Sequence, residues 1–430
     1  MSRDGLGSFL VIWSGQLVSQ TGTAMTAFAL LVWVYRETGR ATDVALLGAA
    51  WFTPFIIVSP FAGVWVDRLD RRRVMLWADV AAALATAGLL ILYSAGALRI
   101  WHLYAAEAVA GVGHAFQLPA FTAATTLLVP SRHYARASGL RQMSTLGADG
   151  VAPFAAGAAL VWVGLAGVMV IDLATFLVAL VTLLAVRVPA PPPAERSKDG
   201  RPRFLAELAS GARYLLASPG LFGLTVIFTV ILLAAALTYY AILPPMILAR
   251  SGKDALALAS VQTANGIAGA VGGLIMGVWG GPRRKIHGVL AGAAISFLTG
   301  DLLFALGRGV PVWVAGAIIG SVFVPIIVAS NQAILQTRVP PGLQGRVFGI
   351  ASALRMSTMP LGYVLGGLAA DLWLEPAMAP GGGLAPVLGP LVGVGPGAGM
   401  AAMFLATAVL GTMFSLSGYL FPSVRHVEDP

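Results

Sequence analysis

No cysteine occurs anywhere in the 430 residues. That removes disulfides, thiol nucleophiles and thiolate metal sites, and leaves the redox compartment unreadable. Charge is almost as scarce, with 10% of residues Asp, Glu, Lys or Arg, against roughly 25% in a soluble domain. The five histidines show no paired metal spacing. A Gly-x-x-x-x-Gly-Lys-Ser/Thr phosphate loop is missing too, so ATP is excluded as the direct energy source and no cofactor is expected. Enzymatic chemistry also lacks a metal or nucleophile constellation. What fills the chain is apolar: 58% of residues are hydrophobic and the mean hydropathy is +0.84, the composition of a polytopic membrane protein. The net charge of +9 is dispersed over short loops, with no basic helix or aromatic-interleaved stripe, so nucleic acid is excluded as a partner.

Spanning the ~30 Å hydrocarbon core takes about 20 helical residues. The runs long enough to do so predict an all-α polytopic membrane protein with twelve transmembrane helices, at 8–35, 43–66, 74–98, 101–129, 137–162, 164–186, 219–249, 257–280, 286–307, 310–337, 346–373 and 397–421. The runs are continuous rather than alternating in polarity, which disfavours a β-barrel. The first is too long for a signal-peptide core and no small-residue cleavage site follows it, so it should remain as the first span. With the N-terminus in the cytoplasm, twenty Lys and Arg fall on the cytoplasmic side and six (Arg36, Arg40, Arg99, Arg250, Lys253 and Arg308) on the other. That asymmetry places both termini in the cytoplasm.

An internal repeat organises the spans. Val129-Pro130, Arg136 and Gly139-Leu140 recur as Val339-Pro340, Arg346 and Gly349-Ile350, each copy between the fourth and fifth span of its half. Two six-helix halves in the same orientation, with a substrate site near the midplane, are a common transporter plan. The domains are therefore residues 1–187, a linker 188–218, and 219–430. The linker begins with a proline cluster and ends in an amphipathic stretch, Phe204 to Leu216, which reads either as a helix on the cytoplasmic surface or as a plain spacer. The Pro- and Gly-rich segment from Glu375 to Gly399 is too irregular to span and should form an ordered or mobile external loop.

Between Gly63 and Arg73 lies a charge-dense turn, Gly-Val-Trp-Val-Asp-Arg-Leu-Asp-Arg-Arg-Arg. It resembles the loop motif between helices 2 and 3 of the major facilitator superfamily through Gly63, Asp67, Arg68, Arg71 and Arg72, with Asp70 in place of the pattern's second glycine. Further stretches resemble the branch containing the macrolide-efflux proteins and the enterobactin exporter: Leu208, Gly211, Arg213-Tyr214-Leu215 and Pro219; Asn331 to Pro340; and Gly345-Arg346-Val347 on to Pro360, Leu361 and Gly362. The resemblance covers essentially the whole chain and implies two pseudo-symmetric six-helix bundles in a bacterial plasma (inner) membrane. It also implies that Asp67 and its arginines form a conformational latch between helices 2 and 11. The alternative is that Arg68 to Arg73 only anchor the loop to anionic lipid. Glycine stripes Gly269, Gly273, Gly277 and Gly362, Gly366, Ala370 serve either as smooth rocking faces or as static packing.

Ionisable residues inside spans are costly and usually face a cavity or partner. Asp149, twelve residues after Ala137, lies about 18 Å along its helix and near the midplane. It reads as a proton carrier, as a contact for a cationic substrate, or as a neutral hydrogen-bonded acid. Glu107, Gly111 and Gly113 occupy the places where the family's exporters have Arg-x-x-x-Gly-x-Gly. The inverted charge makes Glu107 either a proton-coupling carboxyl or a structural partner of His102 or Arg141. The antiporter pattern of helix 5 survives weakly as Ala152-Pro153 and Gly157. Asp79, Asp172, Asp301 and Asp371 read as structural. If the family architecture holds, the substrate cavity draws on Gln16, Gln20, His114, Gln117, Tyr239, Tyr240, Asn331, Gln332 and Gln336, with Arg355 as a further candidate. The mixed lining suits an amphipathic solute. The combined expectation is a monomeric, proton-coupled secondary exporter of amphipathic small molecules such as drugs, antibiotics or siderophores, surrounded by membrane lipids. Uptake or flipping of a lipid or lysophospholipid is the alternative on the same fold.

Overall fold

A computed structural model describes residues 5–186 and 204–429. These residues form helices and contain no strand. The N-terminal half holds α1 (Gly5–Thr38), α2 (Ala41–Arg68), α3 (Arg71–Ser94), α4 (Ile100–Leu128), α5 (Tyr134–Trp162) and α6 (Gly164–Ala185). After α7 (Phe204–Ala217) come α8 (Pro219–Ala235), α9 (Leu243–Arg250), α10 (Ala255–Trp279), α11 (Lys285–Ile295), α12 (Leu302–Leu306), α13 (Val310–Val322), α14 (Val324–Arg338) and α15 (Pro341–Ala369). Short α16 (Glu375–Met378) and α17 (Ala385–Val392) precede α18 (Ala398–Ser417) and α19 (Pro422–Arg425). Three π-helical turns, Ala236–Tyr240, Ser296–Asp301 and Ala370–Leu374, interrupt the C-terminal rods.

Nine helices among the described residues are long and apolar enough to cross a membrane. Three others, α4, α5 and α15, have 29 residues each and carry Glu107, Arg141, Asp149 and Arg355. Large apolar side chains such as Trp162, Leu274 and Val278 are exposed, as a lipid-facing surface requires.

The described residues divide into two compact units. One takes α1, α2 from Leu46 onward, and α3 to α6; the other takes Gly39–Ala45 and the helices from α7 on. The first centres on Phe9, Ile12, Met75, Ala124 and Leu183, with α1 packed on α5 and α6, and α3 on α4. The second has its core around Leu224, Ile286, Leu290, Ile334 and Val347.

Local chemistry explains several boundaries. Asp70, where the loop motif has glycine, caps α3 by accepting the Arg73 N–H at 3.1 Å. At the other end of the same contact region, Arg72 donates to the carbonyls of Leu183 and Leu184 at 2.9 and 2.6 Å. A cation is thereby seated on the negative C-terminal end of α6. Gly164, the first residue of α6, has a φ of +66°, a conformation that lets two long helices meet with only Val163 between them.

The linker helix α7 packs on protein through its C-terminal half: Gly211 lies against the Arg346 backbone, the Tyr214 hydroxyl donates to the Arg338 carbonyl at 3.1 Å, and Leu215 is buried. The segment after α15 is ordered. Glu375 accepts the N–H groups of Gly397 and Met400 at 3.0 and 2.9 Å, and Arg250 donates to the carbonyls of Gly307 and Val392. The Gly362 and Gly366 stripe is packing, because α15 rests on Ala236, Leu237 and Ala241 with no room for a side chain. The other stripe is not a packing seam: a methyl on Gly269, Gly273 or Gly277 would meet nothing within 4 Å. The contact glycine of α10 is Gly272, which lies against the Val322 carbonyl.

Burial pushes the Glu375 carboxyl above its ordinary range, while the Met400 and Gly397 N–H groups pull the other way. A carboxyl raised on folding favours the fold most below its unfolded value and loses that contribution as pH rises through its folded value. Thermal melts in a pH series should show stability falling from acid toward neutral pH, with Glu375→Gln flattening that slope.

Candidate functional site

Helical spacing places Glu107, Gly111 and His114 on one face of α4. A side chain on Gly111 would collide with the Trp51 carbonyl, so this glycine sets the close approach of α4 to α2. The His114 ring lies 5.3 Å from Trp51 and 5.6 Å from Phe55, and those two rings stack at 5.2 Å and 20°. Both supposed partners of Glu107 are engaged elsewhere. His102 Nδ1 accepts the Arg99 N–H at 2.9 Å, whereas Arg141 donates to the Thr122 hydroxyl at 2.7 Å and lies over the Phe121 ring. Among the described residues Glu107 makes no hydrogen bond or ion pair. The result is an apolar, aromatic-walled face with one uncommitted carboxyl and one imidazole.

Two residues expected in the cavity are not free there. Gln16, 2% exposed, donates to Asp79 Oδ2 at 2.8 Å, and Gln117 donates to Asp79 Oδ1 at 2.5 Å and to Gln16 Oε1 at 2.9 Å. The three form a closed buried network because a carboxylate in an apolar bundle must find donors and helices 1 and 4 supply them. Asp172 is held likewise by the hydroxyls of Thr23 and Thr86 at 3.1 and 3.2 Å. Asp79→Ala would strand two buried amides and should cost about 2 kcal/mol or more. Asp79→Asn, which keeps an acceptor, should cost less; thermal unfolding in detergent would separate them.

In the second unit Asn331 is 2% exposed and so is not a lining residue. Gln332 is half-buried and Gln336 exposed. Tyr240 is 48% exposed with its ring 6.3 Å from Tyr363. The neighbouring Tyr239 turns inward: its ring packs at 5.4 Å on Phe304 and 5.9 Å on Phe404, and its hydroxyl is buried. Arg355 donates to the Ser352 hydroxyl at 3.0 Å and lies 5.4 Å over the Phe228 ring. Gln20 is half-buried on α1.

The side chains of Asp149, Asp67 and Arg68 lie outside the described residues, although their backbones are helical. Gly63 meets nothing within 4 Å, and Arg71 starts α3 half-buried. Asp371 accepts the Ala41 and Thr42 N–H groups at 3.0 and 2.7 Å, with Arg40 3.9 Å away. It therefore caps the first turn of α2 from a distant point in the sequence, a structural use of the kind expected. Trp51 and Phe55 were not anticipated as site residues. Their i,i+4 spacing beside Pro54 was the available signal.

Among the described residues, an all-helical fold with nine helices long and apolar enough to cross a membrane is that of a multi-pass membrane protein. The chain belongs to the Major Facilitator Superfamily, whose sequence profile matches residues 12–374. It is 29% identical over 370 residues to macrolide efflux protein A of Streptococcus pyogenes, covering 84% of this chain and 89% of that one. It is 25% identical over 373 residues to the enterobactin exporter EntS of Escherichia coli, covering 84% and 85%. The fold matches the crystal structure of the nucleoside transporter NupG with a TM-score of 0.71 at 12% identity, over 96% of this chain and 99% of that one.

Proposed function

We propose that this protein exports amphipathic small molecules from the bacterial cytoplasm in exchange for protons, acting as a monomer by alternating access. The observation that carries the reading is Glu107. It is a carboxyl with no partner among the described residues, on the same face of α4 as His114, two turns before it, and His114 packs on the Trp51–Phe55 stack. A carboxyl without a fixed partner can take and release a proton, whereas Asp79 and Asp172 are tied to donors. Asp149 is proposed as a second member of the relay.

The aromatic wall suits a lipophilic body, and the streptococcal relative is a macrolide efflux protein. Gln20, Tyr240, Gln332, Gln336 and Arg355 are retained as candidate substrate contacts. Gly63, Asp67, Arg68, Arg71 and Arg72 are proposed as the cytoplasmic latch, with both termini on that side, by the positive-inside asymmetry. Protonation would shift the populations of the access states, with the membrane potential and proton gradient as the driving force.

The test is transport of erythromycin into inside-out vesicles with an imposed proton gradient. Uptake that collapses with a protonophore supports the reading, and gradient-independent flux removes the coupling. Movement of a fluorescent lysophospholipid with no macrolide flux would transfer the same fold to lipid traffic.

A further inference from the structure

Asp301 is 0% exposed, at the end of the π turn Ser296–Asp301 where α12 begins. Its Oδ2 accepts the Thr407 hydroxyl from α18 at 2.6 Å, and its Oδ1 has no partner. The Tyr239 hydroxyl is also buried and unpartnered. That hydroxyl fits a notch left by Gly300 and Gly320, where added methyl groups would meet it.

Native interiors rarely leave two neighbouring polar atoms unsatisfied, so the pair needs an explanation. A packing role does not provide one. Asp79, Asp172 and Asp371 each have both carboxylate oxygens engaged, whereas Asp301 has one. Nor is there a countercharge. The sequences of α12, α13 and α18 contain no ionisable residue. On α11, Lys285 Nζ binds the Gly280 and Pro282 carbonyls and His287 faces the Tyr419 hydroxyl. Arg250 is bound to the Gly307 and Val392 carbonyls. Apart from Tyr239, no titratable group on these elements offers Asp301 a charge.

An uncompensated carboxylate in this setting is costly, and a proton on Oδ1 removes the cost. The Tyr239 hydroxyl, buried against Gly300, the residue before Asp301, is an unpartnered group through which that proton could pass. Both orphaned groups sit in π turns, which concentrate at functional sites.

We propose that Asp301, with Thr407 and Tyr239, forms a proton-exchange site in the second unit, additional to Glu107 and resting on the proton-coupled reading of the transporter. The reaction is addition of a proton to the carboxylate to give the acid, and its reversal. Purified full-length protein can be studied by pH-difference infrared spectroscopy with protons as the only ligand. The wild type should show a carboxylic acid band converting to carboxylate as pH rises, and Asp301→Asn should lack that band. In proteoliposomes Asp301→Asn should retain erythromycin counterflow while fewer protons accompany each molecule. Thr407→Val and Tyr239→Phe should move the midpoint of the band.

Identical difference spectra for wild type and Asp301→Asn overturn the proposal. If Asp301→Asn does not fold, unmoved midpoints in both Thr407→Val and Tyr239→Phe overturn it instead. Wild-type protein with the Asp301 band but no gradient-driven flux would sink the exporter reading alone. Coupled flux without that band would sink the Asp301 site alone.

Discussion

Glu107→Gln should reduce gradient-driven accumulation of a macrolide to near its equilibrium value while leaving counterflow intact. One charge crossing ~100 mV is worth about 2.3 kcal/mol, which corresponds to roughly 50-fold accumulation per proton. Glutamine keeps the size and polarity of the side chain but can neither hold nor release a proton, so the substitution removes that driving force without emptying the face. Glu107→Asp, which still titrates, should retain a substantial fraction. The paired measurement is uptake under a proton gradient against exchange without one, in the same proteoliposomes. Full gradient-driven uptake by Glu107→Gln would falsify its role. Loss of both activities would point to binding or folding instead.

Gly366→Val should largely abolish recovery of monodisperse protein. The added side chain would meet the Leu237 carbonyl and the Ala241 methyl, both fixed parts of neighbouring backbone or short side chain. Overpacking a seam of this kind costs about 1–3 kcal/mol or more when nothing can rotate away. Gly273→Val is the matched control, because a methyl there meets nothing within 4 Å. Size-exclusion profiles and melting temperatures of the two variants should differ sharply. Equal behaviour would mean that the α15 seam tolerates expansion.

Those two glycines also mark a limit of the sequence reading. Gly269-Gly273-Gly277 and Gly362-Gly366 have the same spacing, and spacing identifies a face without identifying what lies opposite. Among the described residues, nine of the twelve spans read from apolar runs coincide with helices long and apolar enough to cross a membrane, because covering a fixed hydrocarbon thickness depends on local composition. Partner choice does not. Gln16 and Gln117 could be recognised as polar groups needing company, but their shared acceptor Asp79 lies 63 and 38 positions away and only helix packing brings it there. Glu107 stood out for the opposite reason: its departure from the family pattern was visible in one residue. The π turns could not be foreseen, since one extra residue in a turn barely disturbs an apolar run. The inward direction of Tyr239 and the outward one of Tyr240 therefore stayed hidden.

The segment anchored by Glu375 and Arg250 has a practical consequence for imaging. A chain with so little mass outside its helices offers few features for aligning particles in electron microscopy. Here a looped surface is held in a defined shape by backbone contacts at both ends. An antibody fragment raised against residues 379–396 would gain a rigid handle. Its orientation in averaged images would then report directly on the attitude of the helices beneath it.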